Sequence, residues 1–113
     1  LQALALLNDP QYVEAARALA KRVMRAAGPE PTQRVDLAFC LATARAPREE
    51  ERAVLLDVYQ QELEGFRADV ERAGELVTVG DSKPDETLDK AELAAWSTVT
   101  SMILNLDETI TKS

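Results

Sequence analysis

The sequence predicts an all-α fold, an irregular antiparallel bundle or array of five to six short helices. Three observations predict it. Apolar residues recur every three or four positions along most of the chain, the period of a helix with one buried face. Pro, Gly and Asp fall between these runs, where helices start and stop. No segment sustains the period-two alternation of a strand, and Leu76 to Val79 is the one short candidate. The 113 residues suit a single domain, which buries roughly two thirds of its unfolded surface.

Leu1 to Asn8 open the chain on an almost wholly apolar helical turn. A helix apolar all round is normally buried on all sides. Leu1, Leu4 and Leu7 are therefore expected to face another part of a larger multidomain protein, of which residues 1–113 form a C-terminal fragment. Asp9 suits the N-cap of the second helix and Pro10 its first position. That helix runs to about Ala27, with Ala16, Ala20 and Val23 inward and Arg17, Lys21, Arg22 and Arg25 on a solvated face. Gly28 and Pro29 stop it.

The third helix covers about Pro31 to Ala44. Val35, Ala38, Phe39 and Ala42 form its stripe, and Leu37 and Leu41 widen it, so this helix is expected to be central. Pro47 begins the fourth, with Glu49, Glu50 and Glu51 at its positive dipole end. Val54, Leu55, Val58, Tyr59, Leu63 and Phe66 make its inward stripe. A fifth helix follows from Asp69 to about Val79, with Val70, Ala73 and Leu76 inward. Gly80 to Leu88 is a loop. Asp89 caps the last helix, and Glu92 completes a pattern like a capping box. Leu93, Trp96, Val99 and Ile103 then recur at helical spacing.

Composition narrows the chemistry. The chain has no His, the commonest general base and transition-metal ligand. Cys40 is its only cysteine, so an intrachain disulfide and a Cys-only zinc site are excluded. Net charge is −7, divided as +3 over residues 1–48 and −10 over residues 49–113. Such a chain is a poor nucleic-acid ligand, because neutralising phosphates needs clustered Lys and Arg. No apolar run approaches the roughly 20 residues of a membrane span.

Two constellations and two single residues compete with bland readings. From Asp81, a calcium loop would place oxygens at Asp81, Asp85, Asp89 and Glu92. Lys83 stands at a ligand position, Glu86 replaces the turn glycine, and Pro84 stiffens the loop, so a solvated loop with a helix cap is preferred. Asn8, Asp9, Asn105, Asp107 and Glu108 form a structural polar cluster in which Asn105 joins the first and last helices. Its alternative is part of an active site, with Asp9, Asp107 and Glu108 as carboxylates completed by upstream residues. Cys40 is read as a small filler, and Trp96 as a core anchor.

Leu1 to Pro10, Ala42 to Pro47, and Ala94-Ala95-Trp96 through Asn105-Leu106-Asp107-Glu108 together resemble the C-terminal domain of planctomycete-type cytochrome c-domain proteins, a family of unknown function. The resemblance implies a secreted or otherwise extracytoplasmic parent that carries haem in an N-terminal domain and this module last. It implies no cofactor and no catalytic residue in this chain. The expected role is a non-catalytic packing and interaction module. Its partners would be upstream domains of the same protein, or a second copy of the fragment meeting it through Leu1, Leu4 and Leu7.

Overall fold

The computed structural model of the chain describes residues 10–78 and 89–112, with side chains over 14–76 and 89–105. Among the described residues five helices follow one another: α1 Pro10–Ala26, α2 Pro31–Thr43, α3 Glu49–Ala68, α4 Val70–Thr78 and α5 Lys90–Lys112. Among the described residues there is no strand, so the fold is all-α as the periodicity predicts, and Leu76 to Thr78 is helical.

The helix ends follow from their punctuation. Pro31 opens α2 at a position where its missing N–H costs nothing. The Asp69 carboxylate accepts the Arg72 N–H at 3.1 Å ahead of α4. The Asp89 carboxylate accepts the Glu92 N–H at 2.9 Å at the start of α5. The end of α2 is less comfortable. Ala44 donates its N–H to the Cys40 carbonyl at 2.8 Å and takes a left-handed conformation, with φ 63°. An L-residue with a Cβ pays about 1 kcal/mol or more there, and glycine does not. Ala44→Gly is therefore expected to stabilise the domain by about 1 kcal/mol, read as a melting temperature higher by several degrees. An unchanged or lower melting temperature would contradict this.

All four other helices pack on α5. Its Trp96, Val99, Thr100 and Ile103 are wholly buried, and Ala94 and Ala95 with them. From Leu93 to Leu106 it carries no charged residue, which suits a helix enclosed on several sides. The expectation that the third helix is central is thus corrected. That helix, α2, is two-sided: Val35, Ala38 and Phe39 are buried, but Leu41 is 38% exposed. Val54 and Val70, expected inward, are 56% and 60% exposed. Val54 lies one position off the buried Leu55–Tyr59 row of α3. Val70 begins α4, whose buried face starts only at Ala73.

The α1–α5 contact is built from small and hydroxylated residues. Ala16 and Ala20 of α1 are buried, as are Ser97, Thr100 and Ser101 of α5. The Thr100 hydroxyl donates to the Ala16 carbonyl at 2.7 Å. A short side chain reaches a neighbouring backbone only when two helices approach closely. Arg17, expected on the solvated face, is buried as well. It adjoins the Ala16 carbonyl that Thr100 engages, at the polar edge of the stripe. Arg22 and Arg25 do face solvent.

Candidate functional site

The densest polar constellation among the described side chains lies where α2, α3 and α5 meet. Trp96 of α5 is its floor. Tyr59 of α3 stacks on the indole, with ring centroids 4.2 Å apart and 21° between planes. Arg34 of α2 lies to one side, its guanidinium carbon 6.0 Å from the indole centroid. The Arg34 Nε–H donates to the Gly28 carbonyl at 3.0 Å, and its Nη1 lies 3.6 Å from the Glu92 carboxylate. The Tyr59 hydroxyl donates to the same carboxylate at 3.5 Å, the outer limit of a hydrogen bond.

Helical spacing places these groups. Arg34 is one turn from Ala38 on α2, and Tyr59 follows Leu55 by one turn on the inward row of α3. Glu92 precedes Trp96 by one turn on α5, so carboxylate and indole share a face. Burial raises the Tyr59 phenol above its ordinary pKa of 10, and the Glu92 charge adds to this. Tyr59 is therefore a neutral donor near neutral pH, not a phenolate. Arg34 and Tyr59 both engage Glu92, and the cation also holds the loop between α1 and α2. The Trp96 Nε1–H is buried with no hydrogen-bond partner, as is the Ser97 hydroxyl.

A second clasp closes the turn from α2 to α3. Arg45 donates Nη1 and Nη2 to the two carboxylate oxygens of Glu51, each at 3.0 Å. The Arg48 N–H donates to Glu51 at 2.8 Å. The Arg45 guanidinium lies 4.7 Å above the Phe39 ring, and the Thr43 hydroxyl donates to the Phe39 carbonyl at 2.7 Å. The Arg45 hydrogen bonds, followed by the Arg48 N–H, lower the Glu51 pKa from 4.5 to about 2. A carboxyl more acidic when folded stabilises the fold above its unfolded pKa, and that contribution fades as pH falls towards the folded value. The wild-type chain is thus expected to lose melting temperature between about pH 4.5 and pH 2. In Glu51→Gln part of that loss should vanish. Parallel pH profiles for the two proteins would count against the clasp.

The sequence-derived candidates fall in several places. Leu1, Leu4, Leu7, Asn8, Asp9, Asp81 and Asp85 lie outside the described residues, as do the side chains of Asp107 and Glu108. Asn105 is half-buried on α5. Asp89 caps α5, while Glu92 turns to Arg34 and Tyr59 rather than back to the cap. Among the described residues no three carboxylate or thiol side chains converge as a metal would require. Among them, too, no helix is long and apolar enough to cross a membrane. Cys40, read as a filler, is exposed, because it lies on the side of α2 away from the buried Val35–Phe39 face. Trp96 is the anchor its spacing implies. The Arg34–Glu92–Tyr59 triangle was not legible, since its members lie 25 or more positions apart in the sequence.

A family model described as PSD1, a protein of unknown function (DUF1553), matches residues 1–59. That segment is just over half of the 113 residues. The chain belongs to the DUF1553 family. No curated protein and no solved structure matches it. The DUF1553 segment takes in α1, α2, the Arg45–Glu51 clasp and the first half of α3, ending at Tyr59. Two of the three stretches that carried the resemblance, Leu1 to Pro10 and Ala42 to Pro47, lie inside the match, and Ala94 to Glu108 lies beyond it. The helix on which the DUF1553 segment packs is therefore outside the matched residues.

Proposed function

We propose that this DUF1553 chain is a non-catalytic packing and interaction module of a larger secreted protein, any haem of which lies in another domain. The observation that carries this reading is the Arg34–Glu92–Tyr59 triangle over Trp96. Charged and phenolic groups of the kind that do acid–base work here tie three helices together. Burial moves the Tyr59 phenol still further from ionisation. The contacts among these groups fix α2 and α3 against α5, which supports a packing role.

In this reading Leu1, Leu4 and Leu7 dock on an upstream domain of the same protein, and the extracytoplasmic setting follows the family resemblance. In isolation the leucines should pair two copies of the chain, as an apolar patch without its partner does. Sedimentation at about 0.5 M salt, where charge contacts are screened within a few ångströms, isolates this apolar term. The chain should dimerise as its concentration rises, and Leu4→Asp/Leu7→Asp should be monomeric with its helicity intact. A strictly monomeric wild-type chain under those conditions would contradict the docking role.

A further inference from the structure

We propose that the outer face of α1 is a docking surface for the outer face of α3 on a second copy of this chain. The two faces are built to different patterns. Opposite its buried Ala16–Ala20–Met24 side, α1 exposes Ala15, Ala18, Arg22, Arg25 and Ala26. An open depression runs along this face, bordered by Ala18, Lys21, Arg22, Arg25 and Ala26. Opposite its buried Leu55–Tyr59–Phe66 side, α3 exposes Glu50, Asp57 and Glu64. These acids recur every seven residues, two helical turns, so they form one row down the helix.

Size and charge both match. The alanines of α1 let a second helix come to an axis distance of about 8 Å, the short end of helix packing. The arginines then flank the contact, within reach of a carboxylate row. Both helices pack on α5 through their buried sides. Their outer faces therefore point away from the domain and meet only between molecules. The contact is head-to-tail, one α1 to another's α3. A second copy is the occupant because the chain itself carries the complement: residues 49–78 hold nine acidic and three basic side chains. This surface is separate from Leu1, Leu4 and Leu7, and it should weaken with salt where theirs persists.

The test uses two charge-reversed full-length chains, Arg22→Glu/Arg25→Glu and Asp57→Lys/Glu64→Lys. Amide spectra and sedimentation are followed up to on the order of 1 mM protein, at about 0.05 M salt, where the screening length is still long enough for charge to act. Wild-type chains should associate, with shifts concentrated on α1 residues 15–26 and α3 residues 50–64. Each reversed chain, made on a Leu4→Asp/Leu7→Asp background that silences the apolar contact, should associate about tenfold more weakly than that background. Circular dichroism should be unchanged in both. Mixing the two reversed chains should restore association, because each then meets its opposite. A mixture no stronger than its components overturns the proposal. So does a Leu4→Asp/Leu7→Asp chain, in which the apolar contact is silent, that stays monomeric at this salt.

Discussion

Trp96→Ala is expected to cost about 3–5 kcal/mol, the range for deleting a large aromatic from a core. A domain of this size has about 5–15 kcal/mol of stability in all, so this one change should bring the chain near unfolding at room temperature. The reason is position as well as size. Trp96 is wholly buried on the helix that every other described helix touches. It carries the Tyr59 stack, and the Arg34 guanidinium beside it. Removing the indole empties the floor under both. Urea unfolding reads the loss as a lower midpoint. Trp96→Phe refines the test. Its ring fills part of the space, and it removes an indole N–H that has no partner, a burial that itself costs about 1–3 kcal/mol. It should lose about half as much as alanine, or less. A Trp96→Ala chain within about 1 kcal/mol of wild type would mean that the core lies elsewhere.

Ala20→Leu is expected to cost about 1–3 kcal/mol by overpacking, although leucine is a good helix former. Ala20 is wholly buried on the side of α1 that faces α5. One turn away, the Thr100 hydroxyl reaches the Ala16 carbonyl at 2.7 Å. That distance leaves no room for a branched side chain without forcing the helices apart and breaking the bond. Ala15→Leu, on the exposed side of the same helix, should change stability by no more than about 0.5 kcal/mol. The contrast between the two substitutions, measured by thermal unfolding of dilute protein, separates close packing from helix propensity. Equal effects would show that α1 and α5 are not in close contact.

Much of the fold could be read from punctuation. Pro10, Gly28-Pro29, Pro31, Asp69 and Asp89 mark helix ends, and the observed boundaries fall within about two residues of them, the usual scatter of helix ends. Which helix is central could not be read from stripes of large apolar residues. Leu37 and Leu41 make α2 look two-sided and buried, yet Leu41 reaches solvent. Six of the ten buried residues described on α5 are Ala, Ser or Thr, which score poorly as a hydrophobic stripe but permit close approach. A better signal was present: the stretch from Leu93 to Leu106 has no charged residue, and charge is what a helix with a solvent face normally carries.

The site was less legible than the fold, for a physical reason. The Asp89 cap is a local device, three residues from the N–H it accepts, and spacing reveals it. Glu92 belongs to the same local pattern, but a cation on α2 and a phenol on α3 draw its side chain away. Only the packing of three helices creates that competition. Arg17 shows the same limit. Its charge suggests a solvated face, and its place beside Ala16 buries it.

If α5 supplies the core on which the DUF1553 segment folds, then α1, α2 and α3 cannot stay folded once α5 has opened. Native-state hydrogen exchange on the full chain measures this directly. Amides of residues 94–103 and the inward amides of α1 to α3 should open in one event, with a common opening free energy and a common dependence on denaturant. Amides of α1 to α3 that remain protected where those of α5 have already exchanged would show instead that the DUF1553 segment has a core of its own.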